Sequence, residues 1–460
     1  MRQVTLLLSA GLAAALVVRS PAPLDQVLLA ADDSISDSDR PAPSWWGAAV
    51  GDDHIQALEG TFEGALEEAE LAVTRILRDD DGGDGDHGKH GKHGKHGHHG
   101  HHGDPSKTIY ELIKESKYTT KFAELVDEHD DIKDLLQSTE TNRTLFVPTD
   151  RVFERIPDGH KKPPAEFIRA YLAYSIAPGR FPARRLFFKH TIPSELKLDD
   201  LGGHAQRIRV SASLIFGTHL NFFTKIVARD IEAKNGLIHA VDGLLLPPPP
   251  TDKIIQLLPD TFSTYSLALA TTNLVEELPE VWTGATAFVP TNRAFARLGP
   301  RVNAFLFSDH GKKYLKALLK YGIVANQTLY SDAFYKAPVD DDDDDKRAQK
   351  ADYWHVDLPS LLDDKPIAVD VRRWKGFVSI VANGYTRVAV QDVLGSDGVL
   401  QVTGTVLIPP HKRGHGEEGQ EWEEEEEQDD DREWEVEELK ARLDPYLEGF
   451  EETEKRRGDL

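Results

Sequence analysis

The chain has 460 residues and a formal charge of −24, with 78 acidic against 54 basic side chains and no cysteine. The charge argues against nucleic acid as a partner, because phosphates would be repelled. The lack of cysteine excludes disulfides and thiolate sites. The length predicts two or three domains, each with its own core.

The segment 1–31 is typical of a secretory leader. Arg2 gives a short basic start, and a largely apolar run without charged residues extends from Val4 to Val18. Such a run suits a signal peptide and is short for a membrane span, which needs about 20 residues. The cleavage site is not determined by the sequence. An uncleaved membrane anchor and a buried helix are the alternative interpretations of this segment. No later segment is apolar for long enough to span a bilayer. We therefore expect a secreted, extracellular or wall-associated protein, with the vacuole as the alternative location.

Residues 32–104 form a predicted N-terminal extension with two parts. Apolar residues recur every three or four positions from Ile55 to Ile76, which predicts an amphipathic helix that docks on a domain or self-associates. A glycine-rich tract follows, which we expect to be a disordered linker. Its histidines are His87, His90, His93, His96, His98, His99, His101 and His102. Neutral imidazole binds Zn, Cu and Ni, but nothing fixes a geometry and interleaved lysines repel cations. Weak, non-selective metal binding is the expectation, with no other cofactor.

Three segments occur twice in the same order. NGLIHAVDGLLLPP begins at Asn235, and DGVLQVTGTVLIPP begins at Asp397 and matches it without a gap. Each indicates a turn, an apolar strand and a proline stop. TLFVPTDRVFERIP from Thr144 matches ATAFVPTNRAFARLGP from Ala285, and helix-like runs end at Tyr174 and Tyr321. The repeats predict two similar domains, 105–248 and 249–410.

The second unit is longer than the first between its tyrosine and its terminal strand. Six aspartates in a row, 340–345, explain the difference as a solvated surface loop. Calcium binding is the alternative, although the run lacks the spacing and the glycine of a structured calcium loop. Four prolines, Pro247 to Pro250, join the units and predict a restricted relative orientation.

The simplest interpretation of several polar residues in the repeats is that they have structural roles. His239 lies in an apolar strand, where its ring nitrogens are expected to bond to the backbone. Its match is Gln401, which can also donate and accept. Residues after the two short strands are predicted to cap helices, with ligand contact as the alternative: Thr149, Asp150, Thr291 and Asn292. Asn142 and Asn326 each begin an N-glycosylation sequon.

Residues 411–460 form an acidic tail with 21 acidic and 8 basic side chains. The charge predicts disorder. However, Val436, Leu439, Leu443, Leu447 and Phe450 are spaced by three and four residues. This spacing predicts a short amphipathic helix, interrupted near Pro445, that packs against a domain or a partner.

The repeated segments resemble the hallmarks of the fasciclin domain family over roughly residues 105 to 410. The motif residues are Thr149, Asp150, Tyr174, Asn235, His239 and Asp242 in the first unit, and Thr291, Asn292 and Tyr321 in the second. The central motif departs from the family pattern. The family usually has Tyr-His there, whereas this chain has Tyr174-Ser175 in the first unit and Tyr321-Gly322 in the second. Likewise, Gly404 replaces Asp242.

The resemblance implies an α+β fold with two tandem domains. Each would be a β-sandwich wedge flanked by α-helices, between disordered N-terminal and acidic C-terminal extensions. It also implies adhesion or association with extracellular matrix, cell-wall or cell-surface components, without catalysis. The sequence holds no nucleophile or metal motif such as GxSxG or HExxH. The competing hypothesis is metal or proton buffering by the histidine tract. Oligomeric state stays open.

Overall fold

A computed structural model describes residues 103–154, 163–213, 217–277, 282–336, 352–363, 365–374, 377–410 and 434–458. The predicted leader, the helix of the extension, the histidine tract and the aspartate run 340–345 lie outside these residues. Within the described part, no helix is both long and apolar enough to cross a membrane.

The first domain combines helices with one sheet of seven strands. The helices are α1 (Ile109–Glu115), α2 (Thr120–Asp127), α3 (Asp130–Gln137), α4 (Asp150–Glu154), α5 (Ala165–Tyr174) and α6 (Ala183–Leu186). The strands are β1 (Arg143–Pro148), β2 (Ile176–Pro178), β3 (Thr191–Lys197), β4 (Ala205–Ser213), β5 (Gly217–Leu220), β6 (Thr224–Ala233) and β7 (Gly236–Val241). The strand order is β2-β1-β7-β6-β5-β4-β3.

The repeated segments meet at the centre of this sheet. β1 pairs in parallel with β7, with Phe146 opposite His239, whereas the other neighbouring strands pair antiparallel. The register explains the glycine before the second strand. A Cβ at Gly236 would lie 1.8 Å from the carbonyl oxygen of Arg143, so only glycine allows this approach.

The second domain repeats the plan. Its helices are α7 (Thr251–Leu257), α8 (Pro259–Thr272), α9 (Leu274–Glu277), α10 (Asn292–Arg297), α11 (Pro300–Leu306) and α12 (Lys312–Tyr321). Its strands are β8 (Ala285–Pro290), β9 (Ile323–Val324), β10 (Gln327–Leu329), β11 (Phe334–Lys336), β12 (Tyr353–Pro359), β13 (Pro366–Trp374), β14 (Phe377–Ala382), β15 (Thr386–Leu394) and β16 (Gly398–Thr403). A seven-stranded sheet runs β12-β13-β14-β15-β16-β8-β9, and β10 pairs with β11 separately.

Each domain buries its own apolar core between sheet and helices. In the first, Phe122, Phe146 and Tyr174 are among the buried residues. In the second, Phe262, Phe288 and Tyr321 are among them. The parallel central strands are buried on both faces, which is why both repeats are nearly continuous apolar runs. The predicted α+β class with two similar domains is confirmed.

The acidic tail contributes a helix, α13 (Val436–Gly458), to the second domain. Leu439, Leu443, Tyr446 and Leu447 are buried in that domain's core. The tail was predicted to break near Pro445, and this was wrong, because the helix continues through the proline. A proline inside a helix removes one hydrogen bond, and the buried side chains on both sides of Pro445 hold the helix in place.

Candidate functional sites: hallmark residues, domain interface and an aromatic face

His239 is a fully buried part of the sheet. Its Nδ1 accepts from the N–H of Asp230 at 3.2 Å, and its Nε2 lies 2.9 Å from the carbonyl oxygen of Phe181. The ring therefore carries its hydrogen on Nε2, which donates to Phe181. It stacks on Phe146 with 5.6 Å between ring centroids. Burial lowers the pKa of His239, so the ring is neutral near pH 7.

Gln401 takes the same place in the second domain. Its Nε2 donates to the carbonyl oxygen of Leu329 at 2.8 Å, and its Oε1 accepts from the N–H of Asp392 at 3.2 Å. Asp230 and Asp392 both have a positive φ, 57° and 58°. In both domains, one side chain thus accepts from the N–H of the aspartate with positive φ and donates to a backbone carbonyl oxygen. The exchange of His for Gln supports a folding role for this position.

Tyr174 and Tyr321, the residues of the central motif, are also buried. The hydroxyl of Tyr174 donates to the carbonyl oxygen of Arg207 and accepts from the amide of Asn221, both at 2.8 Å. The hydroxyl of Tyr321 donates to the carbonyl oxygen of Pro366 at 3.3 Å and accepts from the amide of Asn383 at 2.8 Å. Each tyrosine fastens a helix to the sheet and presents nothing to solvent.

Asp150 and Asn292 bond to a neighbouring helix, although the sequence pattern predicted caps on their own. Asp150 accepts from the N–H groups of Thr120 and Lys121, at the start of α2. Asn292 accepts from the N–H of Thr264 and donates to the carbonyl of Asp260, both at 2.8 Å. The fold brings α2 and α8 beside these turns, a long-range contact that local spacing does not encode.

The two threonines differ from each other. Thr291 is the N-cap of α10, and its hydroxyl accepts from the N–H of Ala294 at 3.2 Å. Thr149 contributes its backbone, with its carbonyl oxygen accepting from the N–H of Val152 at 2.9 Å. Asp242 accepts from the N–H of Lys225 at 2.8 Å and thereby ties β7 to β6.

Asn235 and Asp397 close the junction between the first helix of each domain and its central strand. Asn235 Oδ1 accepts from the N–H of Ile109 at 2.8 Å. Asp397 Oδ1 accepts from the N–H of Thr251, also at 2.8 Å. Both side chains are buried.

The two sequon asparagines occupy the same edge of their respective sheets. The carbonyl oxygen of Asn142 accepts from the N–H of Gly179 at 2.8 Å, where β1 meets β2. The N–H of Asn326 donates to the carbonyl of Thr283 at 3.3 Å, at the corresponding point of the second domain. Both asparagines are exposed, as a glycan requires.

The two domains meet through a buried charged contact that sequence reasoning did not find. Arg207 on β4 and Asp332, between β10 and β11, are 2% and 4% exposed. Arg207 Nη2 lies 3.5 Å from Asp332 Oδ1, and Arg207 Nη1 donates to the hydroxyl of Tyr335 at 2.9 Å. Asp332 also accepts from the N–H of Thr191 at 3.1 Å. We call Arg207, Asp332, Thr191 and Tyr335 the domain seam.

Further contacts extend the interface on both sides of the seam. Arg209 Nε donates to the carbonyl oxygen of Gln391 at 3.1 Å, and its guanidinium lies 4.0 Å from the centroid of the Phe222 ring. Phe222 belongs to the first domain but packs against the core of the second. His204 stacks on Tyr335 with 4.4 Å between centroids. The interface therefore includes apolar packing as well as hydrogen bonds.

An exposed aromatic face lies at the edge of the second sheet that β12 forms among the described strands. Tyr353 on β12 is 55% exposed and Trp374 on β13 is 44% exposed. Tyr353 pairs with Arg372, two residues before Trp374, so all three point to the same side of the sheet. The hydroxyl of Tyr353 and Nδ1 of His355 both bond to Asp370, at 2.6 and 2.8 Å. We call Tyr353, His355, Asp370, Arg372 and Trp374 the aromatic face.

The described residues contain no group of three or more His, Asp or Glu side chains placed to hold a metal ion. The eight histidines of the tract lie outside the described residues, so their metal binding stays a prediction.

Comparisons with known proteins agree with the repeated architecture. The Fasciclin domain family matches residues 117–247 and 260–409. Aurofusarin biosynthesis cluster protein S of Gibberella zeae is 30% identical over 323 residues, covering 66% of this chain and 78% of that protein. Stabilin-2 of Rattus norvegicus is 29% identical over 146 residues, 29% of this chain, and the chain spans only 10% of its length.

Among solved structures, the FAS1 domain pair of the insect cell adhesion molecule fasciclin I aligns with a TM-score of 0.32 and 17% identity. The alignment covers 63% of this chain and 96% of that one. With the family matched over two regions that contain both sets of repeated segments, the chain belongs to the fasciclin domain family.

Proposed function

We propose that this is a secreted, non-enzymatic adhesion protein that attaches to polymers of the extracellular matrix or cell wall. Adhesion is the role associated with its family, and Stabilin-2 matches this chain over 146 residues. The observation that carries the proposal is the aromatic face. Tyr353 and Trp374 expose large apolar rings beside charged groups on one side of a sheet.

The chemistry of this face suits a polymeric partner. Exposed Tyr and Trp supply rigid contact area at low entropic cost, and Arg adds fixed donors. The Arg372 guanidinium lies 5.8 Å from the centroid of the Tyr353 ring, and Asp370 holds the hydroxyl of that ring. The side chains are therefore positioned before a partner arrives, which reduces the entropy lost on binding.

The hallmark residues do not form the binding surface in this proposal. His239, Tyr174 and Tyr321 are buried and bonded to backbone or amide groups. Their role is to fix the fold of each domain, and only Tyr321 belongs to the domain whose sheet displays the aromatic face.

A retention assay tests the proposal. Purified full-length protein is incubated with an insoluble cell-wall preparation, and the bound fraction is measured against salt concentration. Wild type should be retained, and Tyr353→Ser with Trp374→Ser should reduce the bound fraction at least about tenfold, since aromatic anchors carry about 2 kcal/mol or more each. The matched control is Tyr118→Ser with Leu267→Ser, which removes two comparably exposed apolar side chains elsewhere. Equal retention of both double variants would contradict the proposed surface, and no retention of wild type would contradict adhesion itself.

A second candidate is a non-enzymatic accessory role in a secreted biosynthetic step. It is favoured by the Gibberella zeae relative, which bears the name of a biosynthesis cluster and aligns across both domains. Deletion of the gene in the source organism separates the two candidates. Loss of a biosynthetic product with unchanged wall attachment would support the accessory role, and loss of wall attachment with the product unchanged would support adhesion.

The histidine tract carries a separate proposal of metal or proton buffering. Its eight imidazoles lie between His87 and His102, and an unperturbed imidazole gains its proton near pH 6.5. Calorimetric titration with Zn should show weak binding that disappears when residues 84–103 are deleted. Tight stoichiometric binding lost on the same deletion would instead indicate a dedicated metal site.

A further inference from the structure

The surface of the first domain that contacts the second has a structural counterpart on the second domain. In the first domain, Asn221, in the turn between β5 and β6, accepts from the N–H of Arg209 on β4 at 3.0 Å. In the second, Asn383, in the turn between β14 and β15, accepts from the N–H of Ala368 on β13 at 3.2 Å. Ala368 therefore occupies the place of Arg209, which reaches across the domain interface.

The counterpart surface is acidic where the first domain is neutral or basic. Thr191 of the seam and Asp357 are the cross-strand partners of Arg209 and Ala368, so Asp357 occupies the place of Thr191. The Asp357 side chain is 64% exposed, and its Oδ1 lies 3.5 Å from Nε2 of His355. The second domain thus has a carboxylate in place of a hydroxyl, and it lacks the cation that Arg209 provides.

The surface of the second domain that contains Asp332 has a counterpart on the first domain as well. In each domain, the aspartate with positive φ accepts from a backbone N–H at 2.8 Å, that of Ser331 in the second domain and that of Ala183 in the first. Asp332 follows Ser331, and Arg184 follows Ala183. Arg184 therefore occupies the place of Asp332, with the opposite charge.

This counterpart on the first domain remains exposed with both domains in place. Arg229 occupies the place of Gln391, whose carbonyl oxygen accepts from Arg209, because each directly precedes the aspartate with positive φ. Arg184 and Arg229 are exposed, and Val227 on the same strand as Arg229 is 53% exposed. The surface is thus basic with an apolar side chain beside the charges, a combination that suits a protein partner.

Charge allows two of the four possible pairings among these surfaces. Within the chain, Arg207 attracts Asp332. Contact between the first domains of two copies would bring Arg184 against Arg207, and contact between the second domains would bring Asp357 against Asp332. Like charges across an interface disfavour both pairings. The remaining pairing brings Arg184 against Asp357, which carry opposite charges.

We propose that copies of this chain associate head to tail. The first domain of one copy docks on the second domain of the next through Arg184 and Asp357, in the arrangement that the two domains of one chain already adopt. Such a contact is heterologous, so each pair of copies keeps one free surface of each kind, and association continues into a ring or a filament. The association takes place in solution and does not depend on retention by a cell wall.

Sedimentation velocity of the full-length protein at pH 8 and low salt tests the contact. Wild type should form species heavier than the monomer, which increase with concentration and dissociate as salt screens the charges. Arg184→Asp and Asp357→Arg should each raise the concentration at half association at least about tenfold. An equimolar mixture of the two variants should associate like wild type, because opposite charges then face each other at every contact between unlike copies.

The matched controls are Arg151→Asp and Asp309→Arg, which reverse exposed charges elsewhere on the two domains and should associate like wild type. If a reversal prevents folding, Arg184→Gln and Asp357→Asn remove the charges at similar shape and should weaken association in the same direction. A wild type that stays monomeric at every concentration, as expected if another part of the chain covers either surface, would overturn the proposal. Association that both reversals leave unchanged, or a mixture of folded variants that stays monomeric, would overturn it too.

Discussion

Arg207 of the first domain and Asp332 of the second face each other across a buried interface, with Nη2 and Oδ1 3.5 Å apart. Thr191 lies between them, since its hydroxyl donates to Asp332 and accepts from Arg207 Nε. Burial alone would raise the pKa of Asp332, but Arg207, Lys189 and Thr191 together hold it below its usual value. The Asp332 carboxylate is thus charged and buried, and the positive charge of Arg207 in the other domain balances it. If the domains separated, each would expose one member of this ion pair.

Removal of one partner of this pair should be strongly destabilising. Arg207→Ala leaves Asp332 buried without its cation, and we expect a loss of about 3–5 kcal/mol in the free energy of unfolding. Urea unfolding at pH 7 measures it. The control is Arg169→Ala, which breaks an exposed ion pair with Asp131 and should cost less than about 1 kcal/mol. If both substitutions lower the free energy of unfolding by the same amount, the buried ion pair of the seam stabilises the protein no more than an exposed one.

The seam also predicts a response to acid. The pKa of Asp332 is lowered in the folded protein, so its stabilisation is present above the unfolded value of 3.8 and is lost as pH falls through the lower, folded value. Unfolding midpoints measured from pH 6 down to pH 2 should therefore fall more steeply for wild type than for Asp332→Asn. Parallel curves would mean that Asp332 has the same proton affinity in both states.

His239 should be replaceable by the residue that the second domain uses. His239→Gln keeps one donor for Phe181 and one acceptor for Asp230, whereas His239→Ala leaves both buried groups unpaired at about 1–3 kcal/mol each. We expect the alanine variant to be less stable than the glutamine variant by about 2 kcal/mol or more in chemical unfolding at pH 7.

Acid should distinguish these histidine variants further. The lowered pKa of His239 means that its stabilisation is present above pH 6.5 and is lost as pH falls through the folded value. His239→Gln should lack this loss as pH falls below 6.5. A glutamine variant as unstable as the alanine variant would rule out the shared hydrogen-bonding role.

The tail helix should stabilise the second domain. Leu443 is fully buried against that core, and Leu443→Ala should lower the free energy of unfolding by about 2–5 kcal/mol. Glu437→Ala on the same helix removes an exposed side chain paired with Lys440 and is the control, with an effect below about 1 kcal/mol. If both variants unfold like wild type, the helix does not pack on the domain in solution.

Both sequons should carry sugar when the protein passes through a secretory pathway. Asn142 and Asn326 are exposed and lie at equivalent edges of the two sheets. Peptide mass mapping before and after glycosidase treatment should show a change at each asparagine, removed separately by Asn142→Gln and Asn326→Gln. Unmodified peptides from the secreted protein at both positions would contradict this expectation.

The sequence pattern predicted those features of the structure that follow from the repeated segments. Two copies of the strand and stop predicted two similar domains, and the resemblance to the fasciclin family implied their α+β class. The exchange of His239 for Gln401 predicted a hydrogen-bonding role for that position. Contacts over long separations were not predictable, because nothing local links Arg207 to Asp332, 125 residues apart. The same limit explains Asp150, which caps α2 from 30 residues away. At Pro445, local propensity predicted a break, but burial of neighbouring side chains prevails.

The orientation of the two domains is the claim on which the account depends most, and one distance measurement tests it. The chain has no cysteine, so Glu166→Cys and Arg301→Cys, both at exposed positions in different domains, accept spin labels without background. Pulsed electron spin resonance should give a single narrow distance distribution for this pair at pH 6, and a broad one when Arg207→Ala is added. A broad distribution without Arg207→Ala would contradict a fixed domain pair.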